Sequence, residues 1–243
     1  MSIDALIKAA KQRGLSGVAV SDHNSFNEPP QHKGFYFIPA CEFSTNVGHL
    51  LVYFQKTPVN KNLVRDEYGR FFWRDICKFA HDQGALVFLA HPFSPKKIHP
   101  DDLFSEIDGI EIHNSRVVHS RIKNANKKAA ELAKKLKKPI SAGSDAHCPE
   151  EVGTSYWECD LSESSMSAPD FEEKLKAALL SGSGKIFAGC ASESTVLRCK
   201  LRAYKNMGFI MPFIRTCLKL IICLFTKPFK KKAPQGEYLD LKG

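Results

Sequence analysis

Along the chain, short uninterrupted apolar runs alternate with stretches whose apolar residues recur at helical spacing. The runs GVAV (17–20), GFYFIPA (34–40), HLLVYF (49–54), ALVFLA (85–90), DGIEI (108–112) and KPISAG (138–143) read as strands. Helical spacing covers 2–13, about 71–83, about 118–137 and about 169–181, with Ser2 placed to cap the first helix and Gly14 to stop it. Most of the strands are continuously apolar, which suits a parallel sheet buried on both faces. Strands alternating with helices then predict an α/β fold, either a barrel or a doubly wound sheet.

The polar residues fall at the ends of these runs. Asp22, His23 and Asn24 follow VAV, Glu42 follows FIPAC, His91 follows VFLA, His113 and Asn114 follow GIEI, and Asp145 and His147 follow ISAGS. In a parallel barrel the C-terminal strand ends share one rim, so residues distant in sequence converge there. His49 opens its strand instead of closing it, but lies only seven residues after Glu42 and is within reach of that rim. Asp145 and His147, two positions apart on extended chain, point the same way, toward a shared ligand or simply toward solvent. Taken with the other strand ends, S-D-H-N, C-E-F-S, A-H-P-F and S-D-A-H point to a metal centre. Imidazole and carboxylate without thiolate favour Zn, Mn or Fe, and a carboxylate is able to bridge two ions.

The chain has 243 residues, enough for one sizeable domain with a proper core, and a net charge of +9. That charge changes the picture only once it is located: residues 198–232 hold ten lysines and arginines and no acid, whereas residues 1–197 hold 24 basic and 24 acidic residues. The basicity therefore belongs to a tail. The eight cysteines form no C-x-x-C pair, which predicts reduced thiols and a cytoplasmic protein without a secretory signal. With neither G-x-S-x-G nor G-x-x-x-x-G-K-[ST] in the chain, acyl transfer and nucleoside triphosphate binding lack support.

The ordered segments GLSGVAVSDHN, IPACEFS, GHLLVYF, ALVFLAHPF, GIEIHNSR and ISAGSDAH resemble the motifs of the polymerase and histidinol phosphatase (PHP) superfamily over roughly residues 2–190. The resemblance implies a distorted (β/α)7 TIM-like barrel holding up to three divalent metal ions, at least one of them expected here. It implies hydrolysis of phosphomonoesters or phosphodiesters, with exonucleases and nucleotide phosphatases among the small members. Residue by residue, Asp22 and His23 match the strand-end D-H pair, Glu42 the bridging glutamate, His49 the G-H-L-L motif, His91 the A-H-P motif, and Asp145 with His147 the final D-A-H. The implied metal ligands are His23, Glu42, His49, His91, Asp145 and His147. Asp22 and His23 are the implied catalytic positions, and Arg116, in HNSR, is a further catalytic candidate on its own chemistry. The family pattern also has a first strand ending in H-x-H, which this sequence does not contain. The expectation is that this strand is missing from the chain, through a start upstream of Met1 or through degeneration. In the second case the protein would be a non-catalytic module binding metal and nucleic acid.

Residues 1–190 read as the PHP domain and 191–243 as a basic, partly apolar extension. Arg116 is placed either to grip a substrate phosphate or to sit solvated at a helix start; the roles of His113 and Asn114 stay open. In 207–232, Arg215, Lys219 and Thr226 line one side of a helix whose remainder is apolar. This suits peripheral association with an anionic membrane, a helix packed on the barrel with a basic edge, or contact with a nucleic-acid backbone. The expected substrate is a phosphorylated small molecule or oligonucleotide; nothing in the sequence indicates the oligomeric state.

Overall fold

The computed structural model describes residues 1–94, 99–120, 122–161, 168–226 and 236–239. Helix α1 (Ile3–Gln12) is capped by Ser2, whose side chain accepts from the Ala5 amide. It leads into strand β1 (Gly17–His23) and the hairpin β2 (Tyr36–Thr45) and β3 (Gly48–Tyr53). Helix α2 (Trp73–His81), β4 (Leu86–Ala90), the single turn α3 (Leu103–Glu106) and β5 (Gly109–Asn114) follow, then α4 (Ala125–Leu136) and β6 (Ile140–Gly143). A second sheet begins with β7 (Tyr156–Glu158); after α5 (Ala168–Ser181) it continues with β8 (Lys185–Ala188), and after α6 (Glu193–Asn206) and α7 (Ile210–Thr226) it ends with β9 (Glu237–Leu239).

Strands β1 to β6 lie side by side in chain order and curl into a half-barrel, so the α/β expectation holds. The expected parallel sheet is corrected: β1–β2, β4–β5 and β5–β6 are parallel, but β3 runs antiparallel to both neighbours. A tight turn at Asn46 and Val47 forces the reversal, the Thr45 hydroxyl donating to Gly48 O and accepting from Val47 N. Its consequence is functional, because the beginning of β3 lies at the rim where the other strands end.

Continuous apolar runs are explained by burial on both faces. Phe43, Leu50, Val52, Val87, Leu89 and Ile110 pack outward against Ile76 and Ala80 of α2, Leu103 of α3 and Ala133 of α4. Leu51, Leu86 and Phe88 pack inward against Phe54 and against Leu175 and Leu179 of α5, which fills the concave side. Phe88 requires Gly109 on the next strand, where any Cβ would run into its ring. The helix expected at 118–137 starts later than its spacing suggests. Val117–His119 form a 3-10 turn, and Asn124 in the left-handed region (φ 60°) breaks the chain before α4.

Candidate metal centre

Sheet register assembles the rim. His23 pairs with Glu42, Ser44 with His49, and His49 with Ala90, the residue before His91. Glu42 and Ser44 share a face of β2, so Glu42 lies diagonal to His49. The result is one buried carboxylate facing three imidazoles. His49 Nδ1 donates to Glu42 Oε1 at 2.7 Å, His91 Nε2 donates to the same oxygen at 3.1 Å, and His23 Nε2 lies 3.6 Å from Oε2. The rings pack edge to face, with centroids 5.2 Å apart for His23 and His49 and 5.1 Å for His49 and His91. Burial pushes the Glu42 carboxyl up, but the bonds from His49 and His91 outweigh it and hold the group well below the usual carboxylate range. Burial likewise pulls His91 down, and the bond to Glu42 with the charge of Glu111 reverses this and lifts it to about 9.

A second carboxylate, Asp145 with the imidazole of His147, completes the concave side. Asp145 sits beyond β6 with φ 49° and His91 beyond β4 with φ 28°, so both strand ends hold a non-glycine residue in a sparsely populated backbone region. Burial and the nearby Glu42 charge raise Asp145. His147, half exposed, places Nδ1 3.4 Å from Asp145 Oδ1. His23, Glu42, His91, Asp145 and His147 all line one groove of about 570 Å³, together with Leu51, Tyr53, Tyr156 and Trp157.

Among the expected catalytic residues, His23 joins the cluster. Asp22 lies on the opposite face of β1 by strand alternation, exposed at the groove wall. Arg116 is turned away from the groove: its Nε lies 3.4 Å from Glu151 Oε1 and its side chain is 12% exposed. A phosphate grip would require that pair to open. His113 also points away, donating to Gly189 O at 2.9 Å, and burial pushes it down.

Glu111 is the residue that sequence reasoning missed. It is buried and accepts the His91 amide at 2.9 Å, and burial raises its carboxyl to about 7. A Cβ on Gly143 would come to 3.0 Å from Glu111 Oε1, so the glycine leaves room for this carboxylate. Asn114 Nδ2 reaches both Glu111 (3.3 Å to Oε2) and Asp145 (3.4 Å to Oδ2). A bulge in β5 puts Glu111 and Asn114, three residues apart, on the same face: Glu111 pairs with Ser141 and Asn114 with Gly143. The available signal was a lone acid inside the apolar run GIEI.

With this geometry in place, likenesses to known proteins gain meaning. A family model described as PHP-associated matches residues 123–180, the segment from α4 to α5 that contains Asp145 and His147. The uncharacterized protein MJ0417 of Methanocaldococcus jannaschii is 31% identical over 158 residues, 63% of this chain and 60% of that protein. A second protein of that organism, MJ1587, also uncharacterized, is 27% identical over 118 residues, 45% of this chain and 64% of that one. The chain thus spans less than two thirds of the length of either relative. Among solved structures, PsfC from Pseudomonas syringae superposes with a TM-score of 0.51 at 20% identity, over 70% of this chain and 78% of PsfC. A two-domain Bacteroides vulgatus protein containing a predicted PHP-like metal-dependent phosphoesterase gives 0.50 at 16% identity, over 88% of this chain and 65% of that one. At such identities the likeness is one of fold. The fold and its rim of imidazoles and carboxylates define a PHP-like half-barrel. The chain is similar to the PHP superfamily in fold, and its residues 123–180 match a PHP-associated family model.

Proposed function

We propose that the protein is a metal-dependent hydrolase of phosphomonoester or phosphodiester bonds in nucleotides or oligonucleotides. The observation that carries this is the convergence of His23, His49 and His91 on the buried Glu42 carboxylate. The ligand atoms of His23, Glu42 and His49 all lie within 4.8 Å of one another, and such an N/O donor set fits Zn, Mn or Fe. A bound divalent cation supplies Lewis acidity, acidifying water and neutralising charge on a phosphoryl oxygen. Glu42 with the three imidazoles would hold it, and Asp145 and His147 would extend the donor set across the groove. Glu111 holds the His91 backbone in its strained conformation and is able to keep or release a proton near neutral pH. Tyr53, Tyr156 and Trp157 along the groove support a substrate that carries a base.

The test is hydrolysis of p-nitrophenyl phosphate, its bis ester and a short single-stranded DNA by manganese- or zinc-loaded protein. Turnover is expected for at least one substrate and is expected to vanish in the variant carrying His91→Ala and Asp145→Ala together. Hydrolysis surviving in that variant removes the metal mechanism. Tight metal with retained DNA and no turnover would favour the non-catalytic module.

We also propose that α7 lies on an anionic membrane surface. Phe213, Thr216, Leu220 and Cys223 form its inner, more buried stripe. Ile214, Leu218, Ile221 and Phe225 form an exposed stripe beside Arg215 and Lys219. Among the described residues no helix is long and apolar enough to cross a membrane, and residues 227–232 of the expected segment lie outside the described residues. Because β9 pairs with β8, deleting the whole tail would also strip a strand, so substitutions are the cleaner probe. Full-length protein is expected to sediment with phosphatidylserine vesicles at low salt, to release as salt rises, and to lose binding with Leu218→Asp and Phe225→Asp. Each basic residue near the surface contributes roughly 1 kcal/mol. Wild-type protein that ignores these vesicles leaves α7 without this role.

A further inference from the structure

Behind the rim, on the far side of the 145–151 loop, three side chains outside the metal centre come together. Cys148 precedes the 3-10 turn Pro149–Glu151, and Cys199 lies on α6. Their sulfurs and a Glu151 carboxylate oxygen all lie within 4.8 Å of one another, and all three residues are buried, Glu151 completely. The two Glu151 oxygens are used differently. Oε2 accepts the His147 amide at 2.7 Å, whereas Oε1 is buried without a hydrogen-bond partner, the Arg116 Nε lying 3.4 Å away. A small cavity of about 60 Å³ abuts Cys148, bounded by Glu150, Thr195, Arg198 and Arg202, with Arg202 held by Glu150 at 3.1 Å.

We propose that Cys148, Cys199 and Glu151 form a closed site for a thiophilic divalent cation such as Zn²⁺, separate from the imidazole centre. Two sulfurs and a carboxylate oxygen at this spacing match a tetrahedral cage, and the adjoining cavity has room for a water as fourth ligand. Binding replaces the two thiol protons, which leave to solvent. The site then carries one net negative charge, and Arg116 stands beside it as the compensating cation. A disulfide would use both sulfurs but would leave the buried Glu151 oxygen without a hydrogen bond. A metal engages all three groups. It would also tie α6 to the loop that carries Asp145 and His147, making this a structural site that supports the rim from behind. The proposal does not depend on hydrolysis at the rim.

The deciding experiment is Co²⁺ loading of the full chain under reducing conditions, read by the sulfur-to-cobalt charge-transfer absorption that imidazole and carboxylate ligands do not give. Wild type and Glu42→Ala are expected to show the band, and Cys148→Ser and Cys199→Ser to lose it. Zinc analysis of Glu42→Ala should find about one equivalent, falling to near zero when Cys148→Ser is added. Absence of the band in wild type at cobalt excess overturns the proposal, and that arm needs no variant to fold. A band that disappears in Glu42→Ala but persists in the serine variants overturns it too, as does a Cys148–Cys199 disulfide mapped in protein purified under reducing conditions.

Discussion

Replacing Glu42 with glutamine will empty the rim of metal and reduce any phosphoesterase turnover by on the order of 100-fold or more, the upper end of what loss of a supporting partner alone costs such sites. The side chain keeps its shape, so the change isolates charge. Among the described residues Glu42 is the only carboxylate bonded to both His49 and His91, and it also faces His23. An amide would present a neutral oxygen to three imidazoles. Metal content after gel filtration, measured beside turnover, checks this, with the cysteine site accounted for through its own variants. Unchanged rim stoichiometry in Glu42→Gln would show that Glu42 is not the residue on which the centre depends.

Metal-free protein, kept so with chelator, will be most stable in mildly acidic solution and will weaken as pH rises. Burial raises Glu111 from 4.5 to about 7, so the unfolded chain ionises first and stability falls between those values. The size of that loss is about 3 kcal/mol, or roughly 6 to 12 °C in melting temperature for a chain of this length. His91, lifted from 6.5 to about 9, contributes stability that is complete below 6.5 and is lost as pH climbs through 9. Glu42, held below 4.5, acts in the opposite sense, its contribution being lost on the acid side. Glu111→Gln keeps an acceptor for the His91 amide and removes the charge. The variant should therefore lose most of the decline between pH 5 and 7 while retaining the His91 decline above it. Parallel melting profiles for the two proteins would refute the assignment to Glu111. Bound metal should oppose the decline, most strongly at alkaline pH, because its positive charge stabilises the ionised carboxylates.

Local pattern determined much of this molecule. Continuous apolar runs bounded by turn residues marked all six strands of the curved sheet, because burial on both faces leaves a signal within the run itself. The position of His23, His91, Asp145 and His147 at or just past strand ends was equally legible, since a polar residue that closes an apolar run must emerge near an edge; Glu42 instead lies inside β2, which runs on to Thr45. Strand direction and register were decided only in three dimensions. The antiparallel course of β3, set by the Asn46–Val47 turn, is what brings His49 to Glu42. A bulge in β5 turns Glu111 and Asn114 inward together and sends His113 out to Gly189. A single inserted residue reverses the facing of all that follow, and spacing along the chain does not reveal it. Arg116 found Glu151 rather than the groove, and Cys148 found Cys199 on a helix 51 residues away. Such meetings depend on pairing between distant segments, whose free energy is settled by the packed whole and leaves no periodic trace in the sequence.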